Sequence, residues 1–294
     1  MAADGISRIH APAKLNLNLR VTGRRDDGYH LLDSVVVFTG FGDWIELEPA
    51  QEDSVAVTGD FASSVGAGED NICFRTLAAF RDHGGVAGGH SITIDKRIPV
   101  GAGLGGGSSD AAVILRYLNR TSPAPLADRR LAEAALSLGA DVPVCLAGIA
   151  QRMQGIGDML TPVDPVPHGH LVLARADAML PTAEVFRSLR ESGSGDAAPL
   201  RSSEISGSVA DIVAAGNDLQ AAAMSLSPDI ALVLDRLRDG NGVIAAQMSG
   251  SGSACFGLFD NGDDAATAAE TLARDGIWAA VSYTHLRAHE TRTY

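Results

Sequence analysis

Twelve residues from Pro99 to Asp110 read Pro-Val-Gly-Ala-Gly-Leu-Gly-Gly-Gly-Ser-Ser-Asp, and five of them are glycine. Without Cβ atoms such a run can curl with its N–H groups turned inward, and a ligand can approach the backbone closely. It lies between the strand-like Ser91-Ile92-Thr93-Ile94-Asp95 and a helix-like run from Asp110 to Leu118. A helix N-terminus offers unpaired donors and a positive dipole end, which together favour a phosphate. Ser108, Ser109 and Asp110 carry side chains suited to capping that helix. The expected chemistry is a phosphate cradle. A G-x-G-x-x-G spacing does occur at Gly101 to Gly106. It lacks a first-strand βαβ context and a ribose-binding acid about twenty residues on, so it does not indicate a dinucleotide fold. The Walker pattern is absent as well, because no lysine follows the glycines.

Other chemistry-bearing residues are scattered. The chain has 23 basic residues, and only Lys14 and Lys96 are lysine. Arginine does not replace lysine where a compact charge must reach one oxygen, so the two positions stand out. Asp141, in Gly139-Ala140-Asp141-Val142-Pro143, is an isolated acid before an apolar segment; alone it reads as a turn former at a helix-to-strand junction. Tyr29-His30 follows the glycine-bounded turn Gly23 to Gly28. An aromatic ring can stack on a base and an imidazole can hydrogen-bond its edge. Met248 to Phe256 is a second Gly/Ser loop between two apolar strands.

The elements that must position these residues follow from periodicity. From Ile9 to Val21, Leu15, Leu17, Leu19 and Val21 alternate with polar residues, a strand that sets Lys14, Asn16 and Asn18 on one face. Leu31 to Phe38, Trp44 to Glu48 and Ser54 to Thr58 read as further strands. Asn71 to His83 reads as a helix capped by Asn71, and Leu126 to Leu138 as a helix stopped by Gly139. Thr182 to Arg190 is a short helix capped by Thr182, and Ser192 to Ser203 a polar loop expected to be flexible. Strands before the glycine loop and helices after it point to an α+β domain, and strands and helices alternate beyond it.

With 294 residues, 46% of them hydrophobic, the chain can bury a large core. No 18-residue apolar run and no signal-like N-terminus are seen, so a soluble cytoplasmic protein is expected, with no membrane partner. The net charge of −13 disfavours nucleic acid as a partner and means that an anionic substrate needs local positive charge. Cys73, Cys145 and Cys255 lack C-x-x-C spacing and read as small core residues in a reducing compartment. Composition changes abruptly at Ser282, so residues 282–294 are read as a non-native extension.

Together the motifs resemble those of the GHMP kinase superfamily: the loop Pro99 to Ser109, Ala13-Lys14-Leu15-Asn16, Gly139 to Pro143, and Met248 to Phe256. The segment Gly23-Arg24-Arg25-x-Asp27-Gly28-Tyr29-His30-x-Leu32-x-Ser34-Val35 is similar to that of the cytidine-dependent member. This resemblance implies a two-domain α+β fold. The N-terminal domain, residues 1–155, would be like domain 2 of ribosomal protein S5, and the C-terminal domain, residues 156–281, a ferredoxin-like sandwich. It implies transfer of the γ-phosphoryl of ATP to a tertiary hydroxyl of a methylerythritol bearing cytidine diphosphate, in the non-mevalonate isoprenoid route.

By the same resemblance, Lys14 and Asp141 are catalytic. Asn71, Lys96 and the loop Pro99, Val100, Gly101, Ala102, Gly103, Leu104, Gly105, Gly106, Gly107, Ser108 and Ser109 bind ATP. Asn16, Tyr29, His30, Thr182, Phe186, Gly250, Ser251 and Gly252 meet the alcohol substrate. Magnesium arrives with ATP, touched by Ser108 or Ser109, and no dedicated metal cage is visible. The protein would be a monomer or homodimer. Two alternatives stay open: another GHMP kinase acting on mevalonate, homoserine or a sugar, and a non-catalytic nucleotide-binding relative.

Overall fold

The computed structural model describes residues 6–164, 168–193, 197–201, 208–285 and 292–293. Strand β1 (Ser7–Asn16) is buried on both faces, so Lys14 and Asn16 are as enclosed as Leu15. It stops at Asn16, short of the Val21 that the alternation predicts. There Leu17 N–H turns to Val35 O, while Leu19 N–H reaches Gly216 O in the second half of the chain. After β2 (Arg20–Arg24), strand β3 runs unbroken from His30 to Ala50, where the sequence suggests two strands. Gly42 makes this possible, since a Cβ there would run into Ala11 O of the neighbouring strand. The register between β1 and β3 shifts between Pro12 and Lys14.

Strand β3 is the hub of the N-terminal half. It pairs with β1 and β2, with β5 (Gly89–Asp95) along its second part, and with β6 (Gln151–Gly155) along its first. Strand β4 (Ser54–Thr58) adds to β5 in parallel. Helices α1 (Ile72–Asp82), α2 (Gly106–Thr121), α3 (Asp128–Leu138) and α4 (Val142–Ala147) cover this sheet, burying Leu77, Phe80, Ile92, Ile114 and Leu118 in one core. Residue 155 sits at the turn of the hairpin formed by β6 and β7 (Met159–Pro162).

The C-terminal half is an antiparallel sheet in the order β11-β8-β10-β9, from β8 (His170–Arg175), β9 (Val243–Met248), β10 (Ala254–Phe259) and β11 (Trp278–His285). Helices Asp229–Arg238 and Gly262–Arg274 pack on it, burying Val172, Leu234, Leu237, Phe259 and Leu272. Strand β11 continues past Val281, so the change of composition at Ser282 falls inside an element. Ser282 Oγ accepts from Phe41 N–H and Thr284 Oγ1 from Gly169 N–H. The expected flexible loop 192–203 lies partly outside the described residues. Within it Leu200 is pinned, its N–H donating to Asp33 Oδ2 at 2.9 Å and its carbonyl accepting from Arg152 at 2.8 Å.

A third core joins the halves: Leu15, Leu17, Val35 and Val37 from the first pack with Leu171, Leu173, Phe256 and Leu258 from the second. Because this apolar surface is shared, the halves should lose it together. The Phe256→Ala variant is expected to lower the unfolding free energy by about 3–5 kcal/mol, the usual cost of emptying a buried phenylalanine site. Variants keeping one tryptophan each, Trp44 in the first half or Trp278 in the second, should report one common urea midpoint. Two separated midpoints would show that the halves unfold independently.

Candidate active site

The glycine loop leaves the end of β5 and enters α2 at Gly106, not at Asp110. The helix is capped by Gly105 in a left-handed conformation with no side-chain cap, so Ser108, Ser109 and Asp110 are residues of its first turns and not its caps. Ser108 lines the adjoining cavity, whereas Ser109 is buried and donates its N–H to Gly105 O. Two backbone bonds fix the loop, from Lys14 N–H to Leu104 O at 2.8 Å and from Ala254 N–H to Ala102 O at 2.9 Å. Gly103, at φ +78°, lies against the second Gly/Ser loop; a Cβ there would sit 2.9 Å from Ser249 O and 3.0 Å from Gly252 O. The two loops therefore meet backbone to backbone.

Beside the loop opens a cavity of about 700 Å³. One wall is the loop itself, Pro99 to Ser108; the other comes from Ser64 to Gly66, Asp70, Asn71 and Ile72. Asn71 caps α1, accepting from Cys73 N–H at 2.8 Å and donating to Gly66 O at 2.6 Å, so it shapes the wall it belongs to. Lys96 also lines the cavity, but its ammonium is engaged from below. It donates to Asp43 Oδ2 and Asp110 Oδ2, both at 2.6 Å, and all three residues are buried. Asp43 Oδ1 in turn accepts from Arg97 N–H and Ile98 N–H. Burial works against the Lys96 charge, yet the two carboxylates outweigh it and raise its pKa. Burial pushes the Asp110 carboxyl up to about 7, with Lys96 pulling it down and Asp43 pushing it further up. Lys96 is therefore a structural cation beneath the cradle.

Lys14 is placed differently. Its side chain is 5% exposed and its ammonium meets one carboxylate, Asp141 Oδ2, at 2.8 Å; the Asp141 side chain is 40% exposed. Asp141 does not start a strand. It occupies the N-cap position of α4, where Pro143 presets the helical turn, and its side chain points to Lys14 instead of capping. The far end of α4 is held by Arg116, which donates to the carbonyls of Cys145 and Leu146. A carboxylate fixed by an ammonium on one oxygen and open on its other side can receive a hydroxyl proton.

The residues expected to meet the alcohol form a second cluster. Asn16 is buried, donating to Ser34 Oγ and giving its N–H to Ser249 Oγ, while its Oδ1 has no partner and lies near Gly250. Helix α5 (Thr182–Glu191) is capped by Pro181, not by Thr182, whose hydroxyl instead meets Ser251 Oγ at 2.9 Å. Phe186 stacks on His30, with centroids 4.5 Å apart and planes 20° apart. Tyr29 is 63% exposed beside this pair, open to a planar group.

Residues 71–149 match the GHMP kinases N terminal domain and residues 206–277 the GHMP kinases C terminal domain. A 4-diphosphocytidyl-2-C-methyl-D-erythritol kinase of Cereibacter sphaeroides is 43% identical over 278 residues, covering 92% of this chain and 96% of the relative. This chain belongs to that kinase family. The Brucella abortus kinase of the same name is 41% identical and covers 95% of each chain. A crystal structure of 4-(cytidine 5'-diphospho)-2C-methyl-D-erythritol kinase superposes with a TM-score of 0.78 at 34% identity, over 95% of this chain and 99% of that one. A homoserine kinase from Cytophaga hutchinsonii shares the fold, with a TM-score of 0.69 at 15% identity. The two-domain α+β arrangement of the GHMP kinases is thus that of this chain.

Three parts of the candidate site escape sequence reasoning: Asp43 and the pairing of Asp110 with Lys96 beneath the cradle, the wall Ser64 to Gly66, and Asn217. The Asn217 amide donates to Met248 O at 2.8 Å and Gly250 O at 2.9 Å, holding the Gly/Ser loop in place. Motif spacing gives no signal for any of them, because each is brought in by tertiary packing. The loop contact has a direct test in thermal melts. Gly103→Ala forces a left-handed residue against two carbonyls and is expected to lower Tm by several degrees, a cost of about 1–3 kcal/mol. Gly107→Ala, whose methyl meets nothing closer than Ile72 at 3.9 Å, should leave Tm unchanged or raise it.

Proposed function

We propose that this protein transfers the γ-phosphoryl group of ATP to the 2-hydroxyl of 4-diphosphocytidyl-2-C-methyl-D-erythritol, giving the 2-phosphate and ADP in the non-mevalonate isoprenoid route. The observation that carries the chemistry is the Lys14–Asp141 pair beside a glycine cradle at the mouth of a nucleotide-sized cavity. The identity of the alcohol rests on relatives of that name matching nearly end to end.

In this reading the cavity takes the nucleoside between Asn71 and Lys96, and the loop from Pro99 to Ser108 takes its phosphates through backbone N–H groups. Phosphoryl transfer depends on positioning and charge stabilisation more than on covalent help from the protein. As the bond between the γ-phosphorus and its bridging oxygen breaks, the substrate oxygen bonds to phosphorus, and Asp141 receives the hydroxyl proton. Lys14 holds Asp141 in place and offsets negative charge on the moving group. Magnesium, bound with ATP, supplies further charge neutralisation there. Ser108 fits as its protein contact since its residue lines the cavity, whereas buried Ser109 does not. Among the described residues no cluster of three His, Cys, Asp or Glu could hold a metal by itself.

Asn16, Thr182, Ser251 and the glycines Gly250 and Gly252 face the alcohol, and Tyr29, His30 and Phe186 the cytidine. The cytoplasm is the proposed location, supported by three buried cysteines with no disulfide. Both halves contribute to the alcohol and cytidine contacts, Asn16, Tyr29 and His30 from the first and Thr182, Phe186 and the Gly/Ser loop from the second, with the division set after Pro162 so that the β6–β7 hairpin stays whole.

The test is ADP release from Mg–ATP with the cytidine substrate, mevalonate, homoserine and galactose in parallel. Turnover confined to the cytidine substrate is expected; turnover on another alcohol would replace the substrate, and none on any would reject the kinase reading. Asp141→Asn should lower kcat by roughly 10²- to 10⁴-fold, the usual worth of a positioned acid–base group, with KM for ATP little changed. A kcat within threefold of the parent would remove Asp141 from this role.

A further inference from the structure

A substrate carrying cytidine diphosphate brings two negative charges to a chain whose own net charge is −13. Lys96 is held between two buried carboxylates, and Lys14, paired with Asp141, is given to the transferring phosphoryl, so the diphosphate needs other cations. Arginines surround the stacked His30–Phe186 pair. Arg24 on β2 is the register partner of His30 on β3, so the two side chains share one face of the sheet. Arg190 lies four residues beyond Phe186 on α5, on the same face of the helix one turn later.

Both guanidiniums approach closely enough to push the His30 imidazole below its ordinary pKa, in addition to the larger effect of burial. Burial and the two guanidiniums favour the neutral imidazole, whose buried Nε2 has no partner among the described residues. Neither arginine has a carboxylate partner among the described residues. The Arg24 Nε donates to Gly28 O at 3.0 Å, which orients its fork over the turn. Nearby Asp27 is occupied by Arg25 at 2.8 Å, and Glu184 by Arg187. Among the described residues the local picture is an aromatic stack with an unpartnered ring nitrogen, flanked by two guanidiniums with no carboxylate partner.

We propose that Arg24 and Arg190 form a clamp for the diphosphate of the cytidyl substrate, one from each half of the chain. Planar guanidiniums bind phosphate oxygens in pairs, and a pyrophosphate offers oxygens to both sides at once. The clamp makes the site selective for a nucleoside diphosphate over a bare nucleoside. It rests on the cytidine reading of the site given above.

The experiment measures equilibrium binding of cytidine, CMP and CDP to the full chain by calorimetry, with the ATP cavity saturated by Mg–ADP. CDP is expected to bind at least tenfold more tightly than cytidine. That advantage should shrink as salt rises from about 0.02 to 0.3 M, as screening weakens charge contacts near the surface. Arg190→Met should reduce the CDP-to-cytidine affinity ratio about fivefold or more, and Arg190→Lys should recover part of it. Arg24→Met should act in the same direction, although it also loosens the Gly28 turn. A wild-type ratio near one, or a ratio unchanged in both methionine variants, would overturn the clamp while leaving the cytidine site standing. If neither cytidine nor CDP binds, the cytidine reading fails and the clamp with it.

Discussion

The site depends on two backbone hydrogen bonds that flank Gly103, from Lys14 N–H to Leu104 O and from Ala254 N–H to Ala102 O. The first comes from β1 and the second from β10, strands of different halves. The glycine loop has few side chains with which to hold its own shape, so neighbouring strands impose it. The cradle therefore exists only while the halves are docked, which makes the apolar core shared by Leu15, Val35, Leu173 and Phe256 a requirement of function as well as of stability. Lys14 contributes twice, its backbone fixing the loop and its side chain fixing Asp141.

The two lysines show how similar residues are sorted by their surroundings. Lys96 meets two buried carboxylates and is locked as part of the scaffold. Lys14 meets a single carboxylate that is open on one side, which leaves the pair able to respond to an incoming group. An ion pair removed from water is costly unless its hydrogen bonds are complete. Asp43 shows that completeness: one oxygen accepts Lys96 and the other accepts the N–H groups of Arg97 and Ile98. That network ties the exit of β5 to β3 immediately before the glycine loop begins.

Much of this was legible in the sequence, and the exceptions share a cause. The glycine run, Lys14, Asp141 and the Gly/Ser loop stand out because their chemistry is carried by residues close together in the chain. The sequence puts the helix start too late because Ser108 and Ser109 resemble caps, whereas a left-handed Gly105 occupies the cap position. Asp141 looked like a turn residue before a strand because Pro143 is equally suited to the first turn of a helix. Thr182 looks like a cap in the sequence because nothing near it signals that Ser251, 69 positions away, takes its hydroxyl. Asp43 and Asn217 carry no local pattern, and Asp110 shows only a cap-like one, since their partners come from other elements.

Strand β3 has one more consequence. It carries His30, stacked on Phe186, and Asp43 beneath the glycine loop, thirteen residues apart on one uninterrupted strand. At about 3.3 Å per residue this is a contour of roughly 40 Å. A strand paired along its length with β1, β5 and β6 cannot shorten without breaking ladder bonds. It acts as a ruler between the two ends of the site, and a ligand pair that spans it meets a length set in advance. Freedom to adjust lies at the tips, in the side chains of α5 and the exposed Tyr29, and not in the paired frame between them.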